Sequence, residues 1–330
     1  MNKQESQKLE NEILDILKKY LKSKNTVVAG ISGGPDSVFL LHFLKQIPYK
    51  LIVAHVNHML RKESDHDENF TQKITAKIPT AIFHSHKANI QLLSQKSMRG
   101  HEETGRKIRY DFFKKLAKKY HAKFIITAHH ADDNLETVIF NFTRGAGLQG
   151  LIGMEEIEKN KPASLLRPLL SISKKQILDY LKFHKIKYCT DKTNADTFYK
   201  RNFIRHKIIP LFKKLNPNFT ETVAKNIKNI KEINNHINQE ALDWIAKNSI
   251  CGDKKNQTKF NAKNFRTLSP ALQKIILLNL YKNHIGNLTN LESKHLTEAL
   301  ILINNNIGNK KKAFGKLTIH LKNSKHGLLS

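Results

Sequence analysis

The sequence is poor in cysteine and in long apolar runs, and each shortage excludes a class of protein. Only Cys189 and Cys251 occur among 330 residues, which excludes a disulfide framework, a cysteine-rich zinc site and a CxxC redox motif. No apolar run approaches the roughly 18 residues that a membrane helix needs. The chain starts with polar, lysine-bearing residues instead of the apolar core of a signal peptide. We therefore expect a cytoplasmic protein without a membrane span.

Acidic side chains are also scarce relative to basic ones. The chain holds 57 Lys+Arg and 28 Asp+Glu, which gives a net charge of +29. The excess is densest in residues 201–330, with 23 basic and 7 acidic side chains. A compositional bias toward lysine and asparagine would explain some of the lysines, but it would not deplete Asp and Glu. Because such a charge attracts polyanions, it favours a nucleic-acid partner.

Strand and helix patterns alternate in the first part of the chain. Short apolar runs occupy residues 26–31, 50–56, 80–84 and 123–128, and helical patterns occupy residues 35–44, 64–77, 102–120 and 132–142. Strands that are apolar along their whole length are typical of parallel sheets, which are buried on both faces. The alternation predicts an α/β fold with a doubly wound parallel sheet.

The later part of the chain has a different pattern. After a break at Asn216–Asn218, helical patterns run through residues 221–245, 270–281 and 293–304. The segment Gly315–Leu321 and the short apolar end that follows it predict a small terminal hairpin. We therefore predict two domains: residues 1–215 carry the sheet, and residues 216–330 form a smaller, basic and mainly helical domain that is expected to bind nucleic acid.

The strongest local signal is a glycine-rich turn between the first strand and the helix that follows it. Glycines at this position let backbone amides approach an anion, and the helix N-terminus adds its dipole. The residues are Ser32, Gly33, Gly34, Pro35, Asp36 and Ser37. Ser32 and Ser37 can add hydroxyl donors, Pro35 suits a first helical turn, and Asp36 requires a cation between itself and a phosphate. The turn predicts a pyrophosphate-binding loop with Mg²⁺ at Asp36.

The spacing of this turn matches neither the Walker loop nor the dinucleotide motif GxGxxG. It resembles the PP-loop of the ATP pyrophosphatase superfamily, whose members cleave ATP between the α and β phosphates. The resemblance implies that Ser32–Ser37 bind ATP and that Asp36 is catalytic. A turn that only caps a helix is the alternative, but the two serines and the aspartate argue against it.

Further motifs extend over most of the chain and narrow the choice. They are Val56–Arg61, Glu103–Tyr110, Thr127–Thr137, Arg144–Gly147, Leu166–Leu170, Asp191–Asn194 and Arg201–Arg205. Together they resemble the tRNA(Ile)-lysidine synthetase family. The resemblance implies a reaction in which ATP, with Mg²⁺, activates carbon 2 of the wobble cytidine in a CAU-anticodon tRNA(Ile). L-lysine then displaces AMP, and the base becomes lysidine.

Three carboxylates follow the fourth predicted strand. Asp132, Asp133 and Glu136 are spaced so that they share one helical face at the carboxyl edge of the sheet. The resemblance implies that all three bind lysine and that Asp133 and Glu136 take part in catalysis. A solvated acidic helix face is the alternative. His129 is the predicted catalytic group that accepts or orients the proton of the ε-amine.

Basic residues are assigned to phosphate and RNA. The resemblance implies that Arg106 neutralises phosphate charge during adenylation, whereas Arg109 is expected to brace its helix and Tyr110. Arg201 and Arg205, four residues apart on one predicted helical face, are predicted to contact phosphate of ATP or tRNA, with surface ion pairs as the alternative. A late lysine run is also predicted to contact tRNA, namely Lys310, Lys311 and Lys312.

Two other functions stay open. A tRNA thiolase of the same superfamily would activate a base in the same way and deliver sulfur. That chemistry normally uses clustered or paired cysteines, whereas this sequence has two isolated ones. A catalytically idle tRNA-binding protein is the second alternative. The intact loop and the three carboxylates argue against it.

Overall fold

The computed structural model describes most of the chain. The described residues are 1–22, 25–47, 49–59, 64–98, 100–190, 200–251, 257–286, 288, 291–305, 308–322 and 326–330. They divide into two compact units, Met1–Lys228 and Asn229–Ser330. The motif at Asp191–Asn194 lies outside the described residues, as do Leu60 and Arg61. The domain division at residues 215 and 216 stays a prediction.

A six-stranded sheet forms the centre of the first unit. Its strands are β1 (Thr26–Gly30), β2 (Lys50–Asn57), β3 (Ala81–Lys87), β4 (Phe124–Ile126), β5 (Ile157–Glu158) and β6 (Ser164–Leu166). Their order is β3-β2-β1-β4-β6-β5, and neighbouring strands are parallel except for β5 and β6. The order reverses at β1, where β2 lies on one side and β4 on the other. Open α/β sheets bind ligands at such a reversal.

Helices connect these strands. Those that begin in the first unit are α1 (Lys3–Tyr20), α2 (Pro35–Leu44), α3 (Ser64–Thr75), α4 (Ile90–Ser97), α5 (His101–Lys119), α6 (Ala131–Thr143), α7 (Leu148–Ile152), α8 (Lys174–Phe183), α9 (Lys200–Phe203), α10 (Ile209–Leu215) and α11 (Phe219–Asn248). A π-helical turn at Ile204–Ile208 joins α9 to α10. The predicted helices all form, with ends that differ by a few residues.

Both faces of the sheet are buried, which confirms the doubly wound α/β prediction. Val27 of β1 belongs to an apolar core that includes Phe39 of α2. Its neighbour Val28 belongs to a second core, with Phe113 of α5. Successive residues of a strand point to opposite faces. A strand covered on both sides therefore needs apolar residues at every position, and this is the pattern that the sequence shows.

The second unit combines helices with an antiparallel sheet. Its elements are β7 (Ser249–Cys251), β8 (Thr258–Asn261), α12 (Ala262–Arg266), α13 (Pro270–Ile285), α14 (Ser293–Asn304), β9 (Lys310–Phe314), β10 (Leu317–Lys322) and β11 (His326–Leu329). The strand order is β7-β8-β11-β10-β9. The predicted hairpin corresponds to β10 and β11. The other strands were not predicted, because β7 and β8 have only 3 and 4 residues.

Among the described residues, no helix has both the length and the apolar character required to cross a membrane.

Candidate active site

The glycine-rich loop lies where β1 ends and α2 begins, at the reversal of the strand order. Ser37 Oγ accepts hydrogen bonds from the backbone N–H groups of Ser32 and Gly33, at 3.1 and 3.2 Å. The same hydroxyl donates to Gly34 O at 3.0 Å. Gly33 has φ +90°, and a β-carbon there would lie 3.0 Å from Thr71 Oγ1. Glycine is therefore required at position 33 by conformation and by space.

Asp36, in the first turn of α2, is paired with Lys174 and lies close to His130. Lys174 Nζ donates a hydrogen bond of 2.5 Å to Asp36 Oδ1, and His130 Nε2 lies 3.7 Å from Asp36 Oδ2. Asp36 also lines a cavity at the end of the loop. Mg²⁺ is usually held by one or two carboxylates together with waters and substrate phosphates. The Asp36 carboxylate, which is 30% exposed and lies beside the glycine-rich loop, fits that set of ligands.

A cavity of about 420 Å³ joins the loop to the carboxyl end of β4. The loop contributes Ser32, Asp36 and Ser37 to its lining, and the segment after β4 contributes His129 and Asp133. A nucleotide bound at the loop would therefore face the side chains that follow β4. Three of the six predicted ATP-binding residues, Ser32, Asp36 and Ser37, and three of the five predicted catalytic residues, Asp36, His129 and Asp133, line one space. The lining does not include Gly33, Gly34, Pro35, Arg106 or Glu136.

His129 is held at the wall of this cavity and is neutral at physiological pH. Its Nδ1 lies 2.8 Å from Thr127 Oγ1. Burial lowers the pKa of His129 to about 4, and the cations of Arg167, Arg106 and Arg109 act in the same direction, while Asp133 opposes them. Because the pKa is this low, the ring can accept a proton only transiently.

Both carboxylate oxygens of Asp132 accept hydrogen bonds from neighbouring helices. Its Oδ2 accepts a hydrogen bond of 2.8 Å from the backbone N–H of Lys174 at the start of α8. Its Oδ1 accepts from Lys213 Nζ at 3.1 Å and from Thr220 Oγ1 at 3.3 Å. Burial alone would raise the pKa of Asp132, but the Lys174 N–H and the Lys213 ammonium hold it below its ordinary value. Asp132 thus joins α6 to α8, α10 and α11.

Asp133 and Glu136 bind a common cation. Arg205 Nε and Nη2 donate to the two oxygens of Glu136 at 2.5 and 3.0 Å, and Nη2 also lies 3.1 Å from Asp133 Oδ1. Burial raises the pKa of Glu136, against the effect of Arg205. The carboxylate pair raises the pKa of Arg205 against its own burial. The three predicted carboxylates therefore lie together, but only Asp133 and Glu136 hold one cation between them.

The two arginines of α5 lie in different surroundings, and their predicted roles stay predictions. The Arg106 guanidinium lies 4.8 Å from the centre of the Tyr110 ring. Arg109, which was expected to brace its helix and Tyr110, also lines the cavity. Cavity-lining side chains also include His58 and Tyr110, whose buried Nδ1 and OH atoms have no hydrogen-bond partner among the described residues.

Of the other predicted phosphate contacts, Arg201 and Arg205 are not among the described residues that line this cavity, although Arg205 contacts Asp133, which does line it. Arg201 is 3.7 Å from Glu102 at the start of α5, whereas Arg205 reaches α6, so the two arginines do not act as one face. In the second unit, Lys310, Lys311 and Lys312 are exposed on β9. Lys312 Nζ lies 3.3 Å from Glu298 Oε2.

Lys174 and Lys213 are site residues that the sequence pattern did not indicate. Each lies in an ordinary amphipathic helix pattern, and its partner is an aspartate 138 or 81 residues away. A local signal near Lys174 is Ser173, a residue type that suits a helix N-cap, and it caps α8 by accepting a hydrogen bond from the Gln176 N–H. That cap fixes where the first residue of the helix lies, but it does not reveal the partner.

Comparison with known proteins identifies the family. A family model described as a PP-loop domain matches residues 5–212. The tRNA(Ile)-lysidine synthase of Petrotoga mobilis is 34% identical over 252 residues, which cover 74% of this chain and 79% of that protein. The tRNA(Ile)-lysidine synthase of Clostridium tetani is 32% identical over 300 residues. This second match covers 88% of this chain and 62% of that protein, so the chain spans less than two thirds of it.

Among solved structures, the U34-tRNA thiolase NcsA from Methanococcus maripaludis has a TM-score of 0.57 at 18% identity. The match covers 68% of this chain and 79% of that one, and it shows a common fold only. The family model and the Petrotoga relative, together with the loop and carboxylates described above, lead to one assignment: the chain belongs to the tRNA(Ile)-lysidine synthase family of PP-loop proteins.

Proposed function

We propose that this chain ligates L-lysine to carbon 2 of the wobble cytidine in a CAU-anticodon tRNA(Ile). In the first step, the oxygen on carbon 2 attacks the α phosphate of ATP, and pyrophosphate leaves. In the second step, the ε-amine of lysine attacks carbon 2, loses a proton, and displaces AMP together with that oxygen. The products are lysidine, AMP and pyrophosphate.

One observation carries this proposal: a single cavity is lined by the ATP-binding loop and by the carboxylate-bearing segment after β4. Adenylation and amine attack occur on the same carbon, so both subsites must face one space. Ser32, Asp36, His129 and Asp133 all line that space, and His130 Nε2 lies 3.7 Å from Asp36 Oδ2 and 3.4 Å from Asp133 Oδ2. A base that enters this space can meet the α phosphate first and the amine second.

The ATP subsite uses the loop, the helix dipole of α2 and Asp36. The N–H groups and hydroxyls of Ser32, Gly33, Gly34 and Ser37 hydrogen-bond to one another at the N-terminus of α2. A bound phosphate would accept from these donors in place of the bonds within the loop. We assign Asp36 as the carboxylate that holds Mg²⁺. The ion would neutralise charge on the phosphates during adenylation.

We assign Asp133 and Glu136 to the lysine subsite. The ion pairs of Arg205 with both carboxylates support this assignment. The Arg205 guanidinium shows that the two carboxylates can bind a cation between them. We propose that an ammonium group of L-lysine binds the same pair and takes over part of the contacts of Arg205. Asp132 already accepts three hydrogen bonds, so we assign it to positioning α8 and α10 around the subsite. His129 is assigned to orienting the ε-amine and accepting its proton transiently.

The basic charge of residues 216–330 is assigned to tRNA. Lys310 and Lys311 are exposed on β9, where lysine side chains can neutralise phosphates. Arg201 and Arg205 lie in the first unit and pair with acids. We keep Arg201 as a candidate phosphate contact because its partner Glu102 is half exposed and such pairs are weak.

The deciding experiment supplies the protein with ATP, Mg²⁺, labelled lysine and total bacterial tRNA. We expect label in a CAU-anticodon tRNA(Ile), with AMP formed only when lysine is present. Sulfur transfer to tRNA would instead identify a thiolase, and tRNA binding without AMP would identify an idle binding protein. Asp133→Asn should raise the KM for lysine, while Asp111→Asn, in an exposed pair with Lys107, serves as the matched control.

A further inference from the structure

Lys174 makes a direct ion pair with the carboxylate at the start of the loop helix. Its Nζ is 2.5 Å from Asp36 Oδ1, and the two side chains keep 34% and 30% of their surface exposed. The ammonium group therefore lies beside the N-terminus of α2 on a side chain that is only partly buried. Lys174 is not part of the cavity lining, but its partner Asp36 is. Neither the loop motif nor any other motif of the sequence includes this lysine.

The backbone of Lys174 is fixed from two sides. Ser173 caps α8, with hydrogen bonds between its side chain and Gln176, and the Lys174 N–H donates to Asp132 Oδ2 at 2.8 Å. Lys175, the next residue, is exposed. At the start of α8, Lys174 therefore points toward the loop, whereas Lys175 carries the same charge in solvent.

We propose that Lys174 is a further catalytic residue, whose ammonium group contacts the β and γ phosphates of ATP and stabilises pyrophosphate as it leaves. The inference rests on the proposed function, because it concerns the same ATP subsite. An ammonium group has three N–H donors. One donates to Asp36, so two can meet phosphate oxygens without loss of that bond.

Charge balance supports this role. A polyphosphate beside Asp36 would place like charges together, and Asp36 is already within contact of Lys174 and His130. Of these two groups, only the lysine carries a permanent positive charge at neutral pH. As the bond to the α phosphate breaks, negative charge grows on the pyrophosphate oxygens. A fixed cation at that position lowers the energy of the transition state.

The test compares Lys174→Met, Lys174→Arg and the control Lys175→Met. Calorimetry should measure the affinity of each variant for α,β-methylene ATP and for AMP, both with Mg²⁺. We expect Lys174→Met to weaken binding of the ATP analogue about 10- to 100-fold and to leave AMP binding unchanged, because AMP lacks the phosphates in question. Lys174→Arg should restore most of the affinity, and Lys175→Met should behave as wild type.

Equal losses for the analogue and for AMP, or no loss for either, would overturn the proposal. Thermal unfolding of each variant identifies a folding defect, and retained AMP binding shows that the subsite is intact. Failure of the proposed function has a different result. The wild-type protein would then not attach lysine to tRNA, but Lys174→Met would still weaken binding of the ATP analogue and not of AMP. Pyrophosphate release with tRNA should fall in Lys174→Met and recover in Lys174→Arg.

Discussion

Arg205 and Glu136 form a two-point ion pair between the π-helical turn after α9 and helix α6. The Nε and Nη2 atoms of Arg205 donate to Oε1 and Oε2 of Glu136 at 2.5 and 3.0 Å. The Glu136 side chain is only 7% exposed, so its charge has lost most of its contact with water. A buried carboxylate without its partner is strongly destabilising. The pair therefore fixes the turn against α6 and holds together the subsite that we assign to lysine.

Loss of the Arg205 guanidinium should destabilise the first unit. We expect Arg205→Met to lower the free energy of unfolding by about 2 to 3 kcal/mol, because Glu136 is left buried and unpaired. Urea unfolding measures the change. Arg201→Met is the matched control: its pair with Glu102 is exposed on both sides and should cost less than about 1 kcal/mol. Equal losses in the two variants would contradict this account.

The same two arginines show where prediction from sequence succeeded and where it stopped. Their spacing of four predicted one helical face, but a π-helical turn intervenes at Ile204–Ile208. Arg201 pairs with α5 and Arg205 with α6. The spacing of residues along the sequence predicts their positions only in a regular helix. It indicates neither the π-helical turn nor an ion-pair partner from a distant element.

The loop and four of the six strands of the sheet, β1 to β4, could be predicted because each depends on short-range chemistry. Strands β5 and β6 were not predicted, since they have only 2 and 3 residues. Strands buried on both faces require continuous apolar runs, and a tight turn before a helix requires glycine where φ is positive, as at Gly33. Lys174 and Lys213 could not be predicted, since their importance comes from aspartates brought close by the fold. Helix geometry predicted that Asp133 and Glu136 lie on one face. It did not predict that Asp132 bonds to Lys174, Lys213 and Thr220 instead.

Removal of the Asp36 carboxylate should separate nucleotide chemistry from RNA binding. We expect Asp36→Ala to abolish pyrophosphate release, because the proposed metal contact is lost and Lys174 loses its partner. Affinity for tRNA should stay within about twofold, since the basic charge of residues 216–330 is unchanged. Pyrophosphate release and filter binding are the two measurements. Strong adenylation by this variant would contradict the assignment of Asp36.

Gly105 lies inside α5, where alanine should be more stable. A β-carbon at this position would meet His58 Cε1 at 3.5 Å, an ordinary van der Waals contact, and glycine costs a helix up to about 1 kcal/mol relative to alanine. Gly105→Ala should therefore raise the free energy of unfolding by about 0.5 to 1 kcal/mol. The opposite result is expected for Gly33→Ala, where φ is +90° and the space is filled. Thermal unfolding of both variants tests the contrast.

His42 should contribute to the loss of stability in acid. Its ring packs against Phe43 and Tyr180, and burial, with help from Lys45 and His184, lowers its pKa to about 4. The unfolded chain, with an ordinary pKa near 6.5, binds the proton first. Stability is therefore complete above about pH 6.5 and falls as the pH drops toward 4.

Between pH 7 and pH 4.5, the wild type should lose about 2 kcal/mol more than His42→Gln. Urea unfolding at each pH provides the comparison, with variant and wild type measured in the same buffers. His66→Gln, at a side chain that is 75% exposed, is the matched control. If His42→Gln and wild type lose stability in parallel, His42 is not one of the groups that titrate on unfolding.

The lysines of β9 should contribute unequally to tRNA binding. Lys310, Lys311 and Lys312 are all exposed, but Lys312 is paired with Glu298 at 3.3 Å. Each lysine that neutralises a phosphate adds about 0.7 to 0.9 to the slope of log affinity against log salt. We expect Lys310→Gln with Lys311→Gln to lower the slope by nearly 2, and Lys312→Gln alone to lower it little. Glu298→Gln should raise the slope, because it releases Lys312 for phosphate. Unchanged slopes in the first variant would exclude this strand from the tRNA interface.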